Sequence, residues 1–210
     1  DTLEVKTLYS LEMLEHCKGY RDRVMELWSR ALSIDPNAII LIEQRFELTR
    51  WIPESFGRTD ILIIAGSHMF VVDFKYGQGV RVEAVGNPQI RLYALGALDA
   101  YMSKYPNLQT VEMYIHQPRL KSYPEEVISA YELWEWAENY VKPRAAKAWA
   151  GLGDYVAGSH CKFCRHKVRC RALSEYARTP AGSKDFADPN TLTDEEIVAI
   201  GKTNPLLVSY

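Results

Sequence analysis

No apolar run in this chain approaches the roughly 20 residues that a bilayer-spanning helix requires, and no repeat or low-complexity tract occurs. No secretory leader is visible either, so the expected setting is a reducing cytoplasm without a membrane partner. Only four cysteines are present, and in that setting they point away from a disulfide framework. A net charge of −2 excludes the global basic signature of an indiscriminate polyanion binder, so any nucleic acid has to be met by a local patch.

What is present suits one substantial core and a small appendage: 210 residues, 47% hydrophobic, with five tryptophans. The expected division is 1–178 for the core and 179–210 for a linker and appendage. An amphipathic helix runs through Leu32 and is broken by Asp35-Pro36-Asn37. Strands follow near Ile39–Thr49, Asp60–Ala65, Met69–Tyr76 and Thr110–Gln117. Asn87-Pro88 is an N-cap and first-turn pair that opens a helix through Met102. A later helix is expected from about Glu125, carrying Val127, Tyr131, Leu133, Trp134 and Trp136, with Pro143 as a kink. Thr179–Ser183 reads as a turn-rich linker, and Thr193-Asp194-Glu195-Glu196 as a capping-box start.

The chemistry concentrates around two strands. Side chains alternate faces along a strand, so Asp73 and Lys75 share one face. The short Gly66-Ser67 turn reads as a hairpin that brings Asp60, at the start of one strand, beside Asp73 near the end of the next. Two hard carboxylates and several waters are what magnesium takes from a protein, and manganese accepts the same donors. Such an ion makes hydroxide available near neutral pH for attack on a phosphodiester, with Lys75 placed to orient water or neutralise charge on phosphate oxygens. Upstream, Glu43 and Glu47 fall on one strand face, and Glu43 is favoured as an extra carboxylate because an apolar run leads directly into it. Gln89 and Tyr93, four apart on the next helix, share a face and can hydrogen-bond a phosphate or a water.

With Glu43, Gly57-x-x-Asp60, Asp73-x-Lys75 and Gln89-x-x-x-Tyr93 in this order, the chain resembles the PD-(D/E)xK nuclease superfamily. Within it the resemblance is to the RecB-like exonuclease branch, which includes the CRISPR-associated adaptation exonuclease and phage recombination exonucleases. The stretch Val72–Val80, continuing through Gly86-Asn87-Pro88-Gln89 and Leu92–Ala97, resembles an uncharacterised phage and prophage domain family of that branch. The resemblance implies an α/β, restriction-endonuclease-like core with a central mixed β-sheet flanked by helices. It also implies Asp60 and Asp73 as ligands of Mg or Mn, Glu43 as an accessory acid and metal ligand, Lys75 as the catalytic lysine, and Gln89 and Tyr93 as active-site supports.

Cys161-x-x-Cys164 followed by Cys170 is a compact thiol cluster in the C-terminal region, of a spacing that suits zinc or an iron–sulfur cluster. His160 and His166 are nearby candidates to complete a zinc site. Several RecB-like nucleases carry such a trio with one upstream cysteine, and that likeness implies a four-iron, four-sulfur cluster, incomplete in the sequence as it stands. Cys17, in a helical apolar stripe with Leu14, Tyr20, Val24, Leu27 and Trp28, is expected to pack in the core. The chain begins without methionine, so the fourth ligand is sought in a preceding segment. His68 and His116 are read as structural. Around the trio, Lys162, Arg165, Lys167, Arg169 and Arg171 form a basic patch with Phe163 interleaved.

The resulting expectation is a metal-dependent deoxyribonuclease, an exonuclease acting in phage recombination or DNA processing in a bacterial host cytoplasm. DNA is the expected partner, with recombination or phage proteins beside it; the sequence leaves the oligomeric state open. The competing expectation is a nuclease fold without turnover, kept as a nucleic-acid-binding or assembly module.

Overall fold

The computed structural model describes residues 10–178 together with 193, 195 and 198. The expected linker 179–183 lies outside the described residues, and of the expected final helix only Glu195 and Val198 are described, both helical. Two compact units divide the chain, Asp1–Gly151 and Leu152–Tyr210.

Helix α1 (Leu11–Ile34) starts where the Ser10 hydroxyl accepts the Met13 N–H at 3.0 Å. Its inward stripe is Tyr20, Val24, Leu27 and Ala31, spaced at one helical face, with the last three buried. Cys17 lies in line with that stripe, one turn before Tyr20. It is exposed, which corrects the expectation of a core thiol: the stripe is buried only from Val24 onward, so its first turns are not covered.

Among the described residues one five-stranded sheet forms, in the order β1 (Ile39–Glu47), β2 (Phe56–Ala65), β3 (His68–Phe74), β4 (Thr110–His116), β5 (Glu125–Ser129). Pairing is antiparallel except between β3 and β4, which run parallel across the helix α2 (Pro88–Tyr101). The sheet is therefore mixed and flanked by helices, an α/β fold of three layers, with cysteines in the C-terminal region. One face buries Leu62, Ile64, Val71 and Met113 against α2. The other buries Ile61, Ile63, Phe70 and Val72 against α1. Apolar side chains on both faces explain why β2 and β3 read as continuous hydrophobic runs.

Strand β5 replaces the first turn of the helix expected from Glu125. Its Glu126 is buried while Val127 is exposed, the reverse of a simple hydrophobic pattern, and antiparallel pairing with β4 wins over local helical spacing. The helix α3 (Ala130–Trp136) begins at Ser129, where a capping box with Glu132 closes the first turn. It continues without a break through a π-helical turn, Ala137–Val141, into α4 (Lys142–Trp149), and Pro143 follows closely on that widened turn. Trp134 and Trp136 point apart: one meets Trp51 edge-on at 5.2 Å, the other stacks on Tyr140 at 6.2 Å. In the second unit, short turns at Ser159–Phe163 and Lys167–Arg169 precede α5 (Arg171–Arg178).

Candidate active site

The register of the sheet sets three carboxylates in a row. Pairing of β2 with β3 runs from Ala65 opposite His68 to Ile61 opposite Val72, and the next positions along are Asp60 and Asp73. Glu43 occupies the position facing Asp60, between the pairs Ile42–Ile61 and Gln44–Thr59. The hairpin that produces this alignment turns on Gly66, which holds a φ of +56° that side chains resist.

Glu43 itself has φ +54°, a left-handed conformation uncommon for a residue with a side chain and typical of constrained functional positions. It breaks the strand period. Leu41 and Phe46, five residues apart, pack in the same cluster, which an unbroken alternation forbids. Gly57 and Leu62 do likewise on β2. The expectation that Glu43 and Glu47 share a face rested on unbroken alternation, and the left-handed Glu43 interrupts it. Glu43 is exposed and lies 3.8 Å from Arg58, while Glu47 is exposed beside Arg45 at 3.2 Å.

Asp60 and Asp73 differ in surroundings. The Asp60 carboxylate accepts the Phe74 N–H at 2.6 Å, so it ties the end of β3 to β2. Burial pushes the Asp60 carboxyl up from the ordinary range, the Phe74 N–H and Lys75 oppose that rise, and the charges of Asp73 and Glu43 add to it. Asp73 is buried, and its Oδ2 sits 3.0 Å from Lys75 Nζ without a directed hydrogen bond among the described residues. A buried carboxylate oxygen with spare acceptor capacity fits a hard divalent ion.

Lys75 is held from its far side. Its Nζ donates to Gln89 Oε1 at 2.8 Å, and Gln89 Nε2 donates to the Tyr93 hydroxyl at 2.8 Å. The candidate residues Asp73, Lys75, Gln89 and Tyr93 thus form one continuous chain of polar contacts. Helix α2 places its members because Asn87 Oδ1 accepts the Gln89 N–H at 2.9 Å and that of Ile90 at 3.4 Å, which fixes where the helix begins. Buried Glu126 holds the same end, accepting the Gly86 N–H at 2.9 Å and Arg91 Nε at 2.8 Å.

Gly57 explains itself in this setting. A Cβ there would stand 2.8 Å from Cδ1 of Tyr93, so glycine makes room for the tyrosine ring.

Two features were not legible in the sequence. Tyr20, read only as part of an apolar stripe, lies with its ring 4.7 Å from Phe74 and 5.4 Å from His116. Its hydroxyl is buried without a partner among the described residues. Burial, then the charges of Asp60, Asp73 and Glu43, push its pKa upward, so the phenol stays protonated beside the carboxylates. No local signal marks it, because α1 is distant in sequence from all three. The second feature is the Arg91–Glu126 pair, whose members belong to different elements.

The cysteine segment is less converged. Cys161 is buried and its sulfur accepts the Gly158 N–H at 3.4 Å, Cys164 is exposed, and Cys170 is half-buried. His160 lies 3.0 Å from the Val156 carbonyl and His166 stacks on Tyr155, so both rings have other contacts. Among the described residues no three His, Cys, Asp or Glu side chains gather as a set able to hold a metal ion. Of the carboxylates, Asp60 and Asp73 fit an ion by their facing positions, whereas Glu43 leans to Arg58. Among the same residues no helix is long and apolar enough to cross a membrane.

The crystal structure of SSO0001 is similar to this chain at 16% sequence identity and a TM-score of 0.36, over 81% of this chain and 79% of that one. A family model described as "Protein of unknown function (DUF2800)" matches residues 1–210, and the chain belongs to that family.

Proposed function

We propose that this chain is a magnesium- or manganese-dependent DNA nuclease of the RecB-like PD-(D/E)xK type, an exonuclease serving phage recombination or DNA processing in the cytoplasm. The observation that carries the reading is the facing of Asp60 and Asp73 across adjacent strands, with Lys75 3.0 Å from Asp73 and braced by Gln89. The choice of DNA rests on the ordered motifs and their resemblance.

Asp60 and Asp73 would hold the ion, with Glu43 as the accessory acid. A divalent ion bound there supplies Lewis acidity and lowers the pKa of water. In hydrolysis a water oxygen adds at phosphorus, the ester P–O bond breaks, and the leaving oxygen takes a proton. Lys75 holds the attacking water by a hydrogen bond and sets positive charge against the phosphate oxygens as negative charge grows there. Gln89 removes freedom from the Lys75 ammonium, and Tyr93 fixes which way the Gln89 amide faces. Such pre-organisation is what makes a single ammonium effective.

The test mixes the purified chain with linear, nicked and circular DNA in magnesium or manganese. Cleavage is expected, and Asp73→Ala and Lys75→Ala are expected to lower its rate by about 100-fold or more. Absence of cleavage on every substrate, or variants that cut as fast as the parent, overturns the reading. Manganese binding by calorimetry that Asp60→Ala abolishes supports the metal centre, whereas no manganese binding points instead to the nucleic-acid-binding or assembly module. Cys161, Cys164 and Cys170 are the proposed thiols for an iron–sulfur cluster or zinc, tested by visible absorption and metal analysis after anaerobic purification.

A further inference from the structure

We infer that the second unit carries a binding surface for single-stranded nucleic acid, formed by the aromatic and cationic side chains between Tyr155 and Arg169. The inference extends the nucleic-acid reading above but does not require hydrolysis.

Charge is the first observation. Residues 162–169 hold four cations, Lys162, Arg165, Lys167 and Arg169, and no acid, in a chain whose net charge is −2. Lys162, Arg165 and Arg169 are exposed, and none forms an ion pair among the described residues. Arg171, one step further, is already paired with Glu175 at 2.6 Å and is left out of the surface. Unpaired cations clustered on one short segment are what a phosphate backbone neutralises, with release of its counterions.

Rings are the second. Phe163 is 79% exposed in the middle of the cations, with Lys162 Nζ 5.6 Å from its centroid. Tyr155, 71% exposed, is stacked with His166 at 5.4 Å and 26° between planes. That stack lines a hollow of about 500 Å³ whose wall carries Arg169 and Arg171 together with Asp154 and Glu175, so the phosphate-tracking cations lie outside it, on Lys162 and Arg165, and the hollow offers the rings. Flat rings presented to solvent between cations offer stacking faces for bases along a tracked backbone. Bases inside a duplex have no free face to give, so the single strand is the favoured form.

A lipid surface fits less well. The segment is two short turns, Ser159–Phe163 and Lys167–Arg169, rather than a helix with a continuous apolar face to lie in a membrane interface.

The experiment uses the full chain in EDTA, so that binding is read without cleavage, and follows fluorescence anisotropy of a short labelled oligothymidylate. The parent is expected to bind it more tightly than a duplex of the same length. Phe163→Ala is expected to weaken binding about ten-fold with an unchanged salt dependence. Replacing Lys162, Arg165 and Arg169 together by Gln is expected to weaken it and to flatten the slope of log affinity against log salt by about 2. Circular dichroism matching the parent certifies that each variant is folded. Binding equal to the parent in both variants overturns the surface, as does preference for the duplex. Capture by anionic vesicles that is lost in the same variants, without oligothymidylate binding, overturns it in favour of a membrane. Failure of manganese-dependent cleavage leaves these results standing. Conversely, equal binding by the variants removes the surface even where Asp73→Ala abolishes cleavage.

Discussion

The ring of Tyr93 occupies the space that a side chain on residue 57 would need, with Cδ1 2.8 Å from the position of a Cβ there. Gly57 lies on β2 and Tyr93 on α2, so the fit between them sets how closely the helix carrying Gln89 approaches the strand carrying Asp60. Gly57→Ala is expected to destabilise the fold by about 1–3 kcal/mol through overpacking. Because the Tyr93 hydroxyl holds Gln89, the substitution is also expected to slow cleavage. The double variant Gly57→Ala/Tyr93→Ala is expected to lose less stability than the two single changes added together, since the clash is shared. Urea unfolding of the four proteins measures that coupling, and strict additivity counts against it.

Asp60 gives a case where function and stability oppose each other. Its carboxyl is raised by burial and by Asp73 and Glu43, so the folded state holds the proton more firmly than the unfolded chain does. A folded pKa above the unfolded one means stability is lost as pH rises through that interval. Asn retains an oxygen to accept the Phe74 N–H but carries no charge. Asp60→Asn is therefore expected to be more stable than the parent at neutral pH, while its manganese binding disappears. Thermal unfolding and calorimetry on the same sample check both halves; a less stable variant refutes the electrostatic account.

Much of this arrangement follows from short-range rules. The period of two puts Asp73 beside Lys75, the Gly66-Ser67 turn puts Asp60 opposite Asp73, and Asn87-Pro88 starts the helix that presents Gln89 and Tyr93. Each depends on residues close in sequence, where periodicity and turn chemistry speak directly. What was hidden depends on partners far along the chain. Strand β5 was concealed by Glu126, a charged residue that faces inward because Arg91 awaits it there. The φ of +54° at Glu43 leaves no mark in composition, so the strand pattern runs straight through it in the sequence. Tyr20 meets the carboxylates only because α1 is pinned to the opposite sheet face, where Arg30 donates to the Tyr114 hydroxyl at 3.2 Å and pairs with buried Glu112.

The Glu126–Arg91 pair yields a pH prediction. Burial disfavours the Glu126 charge, but the hydrogen bonds from Arg91 and the Gly86 N–H outweigh it and hold the carboxyl below its usual range. A depressed folded pKa contributes stability that is fully present above the unfolded value, about 4.3, and is lost as pH falls through the folded one. Glu126→Gln leaves Arg91 without its counter-charge and is expected to cost about 3 kcal/mol at neutral pH. The gap between parent and variant is expected to narrow as the pH is lowered below that of an ordinary glutamate. Urea unfolding across the acid range reads this, and a gap constant with pH contradicts it.

Tyr20 separates a service to the site from a service to the fold. Its hydroxyl is buried with no acceptor among the described residues, and such a donor costs about 1–3 kcal/mol of desolvation. Removing it while keeping the ring against Phe74 is thus expected to leave stability unchanged or raise it. If the hydroxyl were merely trapped during folding of α1 onto the sheet, cleavage would be indifferent to its loss. Burial first, and then the charges of Asp60, Asp73 and Glu43, keep the phenol protonated, so in the proposed reaction it serves as a proton donor close to those carboxylates. Tyr20→Phe is expected to lower the cleavage rate about ten-fold at saturating DNA, with binding of DNA in EDTA unchanged. A variant that is more stable and fully active assigns the hydroxyl to neither task, whereas one that is more stable and slow identifies a group retained at the expense of the fold.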